Sequence, residues 1–293
     1  MATRLADFLT GIPETVIPST SDAVLVQQIA STRPLEINHN ILGDARWIGD
    51  DDALIPTQAA VQWGSGPLLM VALQESCRQG QSLVMWNWLN SLAGYQAYAM
   101  EFWNHQSDFA RCGKYGTTVI TLGGYERASA KYVYQRPGDN DTRGYACVLG
   151  GATAPKFWGC STHLTSGDYY NEKQFEEAYG LMAGEASAGT PVQLGGDLYL
   201  RPQELPGAAP GFSYSTTMEA DRCFGLQYWT HQRTSSEWWK IDHILGSFNP
   251  TCTADAQLDP TWFGDPSVEF CISPPSCPWG YSDHRLVGGY MVP

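Results

Sequence analysis

Short apolar runs in this sequence end repeatedly on an acid, a histidine or an amide. LLMVALQE closes on Glu75, VQLGGD on Asp197, FWGCSTH on His163 and LEINHN on Asn40. Asp242 sits inside WWKIDHIL, where an apolar strand gains nothing from an acid, and Asp283 and His284 precede RLVGGYMV. A brief, continuously apolar run reads as a strand buried on both faces. The place where it runs out is where a fold presents functional groups. The pattern therefore restricts the chain to a strand-rich architecture with polar residues at strand ends.

The rest of the chain fits that frame. Strands are expected over Leu35–Asn40, Leu68–Gln74, Thr117–Thr121, Val192–Leu194 and Leu286–Met291, and over WWKIDHIL up to Leu245. Tyr145–Gly150 and Lys156–His163 resemble an antiparallel pair. Residues 80–104, rich in Trp, Tyr and Met, are expected to be helical. So is Glu172–Leu181, where Phe175, Ala178, Tyr179 and Met182 fall near helical spacing. A Pro/Gly-rich loop spans 202–212. Strands with few helices between them predict two packed sheets flanked by helices. Residues 1–33 are expected to form an extension docked on a main domain over 34–293.

With 293 residues, 43% of them hydrophobic, the chain can fill one large α/β core. It has no apolar run long enough for a membrane-spanning helix and no visible signal peptide. Its eight cysteines include no CxxC pair, which argues against a zinc site and for disulfides. Cys271 and Cys277 bracket a Pro-rich stretch suited to a small closed loop. The expectation is an exported domain without its leader; the alternative is a cytosolic protein with buried thiols. Seventeen basic against 30 acidic residues give a net charge of −13. That disfavours a broad electrostatic grip on nucleic acid, although a local Arg cluster and bound cations can reverse the field at a site.

Each polar strand end alone is more readily a cap or turn former. Six in one chain form a set of carboxylates, histidines and an amide. There is no G-x-S-x-G elbow, P-loop, G-x-G-x-x-G or H-E-x-x-H. Such a set suits a hard, oxygen-loving cation, Mg²⁺ first, with Mn²⁺ or Ca²⁺ as alternatives. The chemistry that uses it is phosphoryl transfer.

The order LQE, THL, GGDLYLRP, KIDHIL, SDH resembles the endonuclease/exonuclease/phosphatase superfamily, over about residues 35–292. The resemblance implies a four-layered α/β sandwich, with two packed, mainly antiparallel sheets between helices. It implies a metal-dependent phosphodiesterase in which Glu75 ligates the metal and Asn40 supports metal and phosphate, with Asn38 as the fallback. His163 would contact the scissile phosphate, and Asp197 would orient or activate the attacking water. Asp242 would pair with His284, the acid–base or cationic group, and Asp283 would add a metal or water contact. A carboxylate beside an imidazole raises its pKa and fixes its tautomer, so the pairing is physically sensible.

One position departs from the pattern. The family reads GDxN, whereas this chain has Tyr199 where the Asn is expected. Tyr brings one hydroxyl on a bulky ring in place of a compact donor and acceptor. Three readings compete: an active enzyme with altered geometry, a specialised enzyme whose Tyr199 contacts a different substrate, and a catalytically dead relative. The leading expectation is an extracellular nuclease acting on DNA, or on RNA, with Arg111, Lys114 and Arg143 as local phosphate contacts. A sphingomyelinase-type phospholipase C is the second, suggested by the aromatic segment Trp86–Trp103; the plain alternative is that these rings are core. A binding or toxin-like subunit that keeps only the fold is the third.

Overall fold

The computed structural model describes residues 35–41, 50–63, 68–93, 97–109, 112–150, 156–201, 204–205, 231–234, 237–239, 241–246, 284 and 286–290. The expected extension over 1–33 and the Cys271–Cys277 loop lie outside these residues. Among them are twelve strands: β1 (Leu35–Asn40), β2 (Leu68–Cys77), β3 (Tyr98–Phe109), β4 (Gly113–Leu122), β5 (Glu126–Lys131), β6 (Gly144–Gly150), β7 (Phe157–His163), β8 (Val192–Asp197), β9 (His231–Thr234), β10 (Glu237–Trp239), β11 (Asp242–Gly246) and β12 (Val287–Tyr290). The helices are α1 (Ile55–Trp63), α2 (Leu83–Ala93) and α3 (Asp168–Ser187).

Ten strands form two five-stranded sheets, ordered β12-β1-β2-β4-β3 and β11-β8-β7-β6-β5. Each has one parallel join, β1 with β2 and β7 with β8, and is otherwise antiparallel. Because successive side chains point to opposite faces, the strands sort their residues into layers. Ile37, Val71, Leu73 and Ile120 pack outward with Leu54, Met85 and Leu89 of the helical side. On the other sheet Cys147, Cys160 and Leu194 pack outward with Phe175, Ala178 and Met182 of α3. Met70, Val119, Ala146, Val148 and Phe157 fill the space between the sheets. The result is the expected four-layered sandwich.

The inter-sheet layer turns polar toward one end. Gln74 donates to Asn38 Oδ1 at 2.9 Å and to Ser161 Oγ at 3.0 Å. Thr117 and Ser161 hydroxyls meet at 2.6 Å, and Asn38 Nδ2 donates to the Gly196 carbonyl at 3.3 Å. All of these side chains are fully buried, so their bonds satisfy groups that water cannot reach. The sheets come close here because Gly195 has no side chain; a Cβ would lie 2.6 Å from the Ala72 methyl.

Two expectations need correction. The aromatic stretch 80–104 is not one helix. After a π-helical turn (Arg78–Ser82) and α2, the chain becomes a strand at Tyr98. There Tyr98 and Met100 join the helix-side cluster while Ala99 and Trp103 face the other sheet, a period of two. Likewise WWKIDHIL is not one strand: β10 ends at Trp239, in a two-stranded sheet with β9, and β11 starts at Asp242. The helix expected over Glu172–Leu181 runs from Asp168 to Ser187.

Two disulfides occur among the described residues, Cys77–Cys112 and Cys147–Cys160. The second joins directly opposed residues of β6 and β7. No helix among the described residues is long and apolar enough to cross a membrane.

Candidate active site

The inward-facing alternation that lines the polar end of the sandwich continues two residues further along each strand into a cluster of ionisable groups. Asn38 is followed by Asn40, Ser161 by His163 and Gly195 by Asp197. The parallel joins set strand ends side by side: Asn40 is paired with Gln74, next to Glu75, and His163 with Asp197. β11 adds Asp242 opposite Asp197.

Asp197 is the centre of the cluster. Its Oδ2 accepts a hydrogen bond from Asn40 Nδ2 at 3.1 Å and lies 3.6 Å from both His163 Nε2 and His284 Nε2. Its Oδ1 accepts the Tyr199 N–H at 3.2 Å. Asn40 Nδ2 also donates to Glu75 Oε1 at 3.0 Å, so one amide links the acids of both sheets. Asp242 Oδ2 meets His284 Nδ1 at 2.7 Å, within a fully buried carboxylate–imidazole pair. That bond leaves Nδ1 as the donor and turns Nε2 toward Asp197.

Two backbones in the cluster are unusual. Glu75 and Tyr199 have φ values of 54° and 51°, the only non-glycine residues with positive φ among those described. Such left-handed conformations cost of order 1–3 kcal/mol and concentrate at functional sites. At Glu75 the β2–β4 register slips between Leu73 and Ser76, and this bulge re-aims the acid. At Tyr199 the turn is held by its own N–H on Asp197 and by Asn171 Nδ2 on its carbonyl, 3.1 Å away.

Burial dominates the electrostatics. It raises the Asp197 carboxyl, with His284 and Asn40 pulling against it and Asp242 reinforcing it. Burial holds the His163 ring well below the ordinary imidazole range, helped by the nearby Arg143 charge and by His105 and His284. His105 is held down in the same way, by burial and then by Arg143. Arg143 itself is nine-tenths buried; it is ion-paired with Asp141 through Nη2 at 2.9 Å and with Asp139 through Nε at 4.0 Å, and its Nη1 makes no hydrogen bond among the described residues.

The structure thus brings together Asn40, Glu75, His163, Asp197, Asp242 and His284, with Tyr199 stacked on His163 (rings 5.9 Å apart, 13° between planes). Asn38 lies deeper and ties the sheets. Lys114 is exposed at the start of β4. Arg111 and Asp283 lie outside the described residues. His105 and His39 were not foreseen. His39 faces Thr57 at 3.0 Å and is pushed down to about 3 by burial. His105 lies inside β3 and His39 one residue before the Asn40 that ends β1, so neither has the strand-end position that marked the others.

The donor set fits a divalent cation. Ligand atoms of Asp197, Asp242 and His284 lie within 4.8 Å of one another, and Glu75 shares an amide with Asp197. Carboxylates, an amide and an imidazole match a hard cation, and a cation beside a buried carboxyl would hold it ionised.

No protein-family model matches the chain, and no curated protein matches its sequence. Solved structures do match. The human Nocturnin catalytic domain, solved with bound sulfate, has a TM-score of 0.56 at 15% identity, covering 88% of this chain and 93% of that one. TDP2 from D. rerio, solved with a single-strand DNA product, gives 0.58 at 14%, covering 88% and 98%. An endonuclease/exonuclease/phosphatase family protein from Bacteroides thetaiotaomicron gives 0.51 at 13%, covering 87% and 93%. The chain has the fold of that superfamily.

Proposed function

We propose that this protein is a divalent-metal-dependent phosphodiesterase, and that its substrate is a nucleic acid, DNA first. The observation that carries the reading is the Asp197 carboxylate, fully buried yet faced by two imidazoles and an amide drawn from both sheets. A purely structural core gains nothing from that arrangement, because each buried ionisable group costs free energy unless paired. The same constellation can hold a water against a phosphate.

Glu75 and Asn40, with the neighbouring acids, are the residues that would hold the metal. When bound, the cation neutralises phosphate charge and favours a nucleophilic water. Asp197 then orients the water through Oδ2. The His284 Nε2, with its tautomer fixed by Asp242, donates to or accepts from the reacting oxygens. His163 contacts the phosphate, and Arg143 Nη1, which makes no hydrogen bond among the described residues, supplies a cationic donor beside it.

Support for nucleic acid comes from the matching D. rerio TDP2, solved with a single-strand DNA product, and from a cation buried beside His163 in a chain of net charge −13. Trp86, Trp88 and Trp103 are partly buried against the core clusters, which favours a packing role over a lipid surface. The disulfides support an exported protein.

Supercoiled plasmid tests the reading. Nicking is expected with Mg²⁺, with loss on chelation and in His284→Ala. Absence of nicking at high enzyme concentration, together with phosphocholine release from sphingomyelin vesicles, would replace DNA with a lipid ester. Failure on both substrates would overturn the phosphodiesterase reading for these substrates.

A further inference from the structure

The His163 ring lies beside Asp197 without a single hydrogen bond from the described residues. Both Nδ1 and Nε2 are buried and unpartnered, and the residue is only 2% exposed. Yet a phosphate-facing imidazole has to present one defined nitrogen. In a neutral ring the hydrogen bond made by one nitrogen decides which proton the other carries. The Nε2 side looks at Asp197, 3.6 Å away. One face is covered by Tyr199, whose aromatic face offers no hydrogen-bonding nitrogen.

A second polar ring packed against His163 is His105 of β3. Its centroid is 5.8 Å from that of His163, with the planes at 64°. His105 is 3% exposed, and both of its ring nitrogens are likewise unpartnered. Its placement is built in. Its carbonyl accepts the Thr142 N–H at 3.0 Å, which fixes the strand beside Arg143. Gly116 opens the space: a Cβ there would lie 1.9 Å from the Trp103 carbonyl oxygen and 3.1 Å from His105 Cδ2. A neutral imidazole carries one donor and one acceptor, so one such contact is enough to choose between its tautomers.

The geometry points to His105 as a positioning residue: through one bridging water it hydrogen-bonds a ring nitrogen of His163, and so fixes the tautomer that His163 presents to substrate. This rests on the proposed phosphodiesterase reading only for its kinetic consequence. The tautomer is a property of the resting protein.

Two measurements test it. Ring-nitrogen NMR of the full chain should show His163 in a single tautomer with one nitrogen hydrogen-bonded. Averaged shifts at its two nitrogens, the sign of exchange between tautomers, would overturn the proposal without any variant being needed. In His105→Phe, which keeps a ring and removes the nitrogens, the His163 resonances should move to the averaged pattern. With bis(p-nitrophenyl) phosphate and Mg²⁺, kcat should fall about tenfold with KM little changed, and His105→Gln should restore most of it. A His105→Phe protein that folds and keeps both the wild-type tautomer and the wild-type kcat would refute the role. If the wild type shows the fixed tautomer but hydrolyses no phosphodiester, the proposed function fails while the positioning role stands.

Discussion

Replacing Asp242 with Asn keeps the side chain's shape but removes the acceptor that holds the His284 Nδ1 proton. The amide can donate there, and the imidazole then presents the wrong nitrogen to Asp197. Asp242→Asn is expected to lower kcat by about 10²–10⁴-fold with little change in KM; steady-state kinetics at fixed Mg²⁺ check this, and unchanged kcat would remove Asp242 from the acid–base set. Tyr199 is open to a similar test. Its ring covers His163 and its backbone N–H bonds Asp197. Tyr199→Asn should therefore lower activity, by roughly the tenfold that a lost supporting contact costs. An increase would show instead that Tyr199 is a degraded motif position. The strand-end residues were readable from the sequence as a set: one acid there is an ordinary cap, but acids, imidazoles and an amide closing one apolar run after another are not. His105 was not readable: NHQ in the middle of a strand carries no such mark, and its importance lies in what β7 and β8 bring beside it.

At the scale of elements, the disulfides sit directly behind the site. Cys77 is two residues past Glu75, and Cys160 is three before His163. In the chain-entropy treatment, bridges with sequence separations of 35 and 13 contribute about 4 and about 3 kcal/mol. Cys77→Ser/Cys112→Ser is expected to lower stability by about that larger amount. It should also weaken Mg²⁺ activation, because the bulge that aims Glu75 loses its anchor. Urea unfolding and a Mg²⁺ titration of activity check the two effects separately. Most of the strands were legible as apolar runs. β5 was not, because ERASAK is almost wholly exposed and no apolar pattern marks it. The length of the helical reading failed at Tyr98 for a physical reason: a run rich in large apolar residues satisfies either period, and only the facing sheet chooses between them. The pairing of strands, and so the gathering of six distant residues, is a property of register that no single segment encodes.

At the scale of the molecule, one poorly satisfied group among the described residues lies away from the site. Glu36 is 2% exposed between the sheets, its Oε1 is unpartnered among the described residues, and burial pushes its carboxyl up from 4.5 to about 8. Between those two values the unfolded chain has released this proton while the folded chain keeps it. Stability therefore falls as pH rises through the window, and the contribution is fully favourable only below about pH 4.5. Glu36→Gln should remove this slope and make the protein more stable than wild type at pH 8, by on the order of a few kcal/mol. Parallel denaturant curves at pH 5 and pH 8 would show it, and identical pH slopes for both proteins would contradict it. A metal held by the site predicts a second global effect: Mg²⁺ should raise the melting temperature in a saturable, chelator-reversible way, since a ligand that binds only the folded state stabilises it.

The pairing of β1 with β12 has a consequence for when the protein becomes capable of acting. Leu35 through Asn38 lie against Val287 through Tyr290, so β1, joined to β2 along one edge, has its other edge covered only when β12 arrives. His284 travels with that last strand, some 40 residues after the Asp242 that holds it. During synthesis the N-terminal part of a chain emerges and folds first. A growing polypeptide can thus assemble Asn40, Glu75, His163 and Asp197 while still lacking the imidazole that completes them. For a protein proposed to act on nucleic acid, the acid–base group is missing until the segment that carries His284 has emerged.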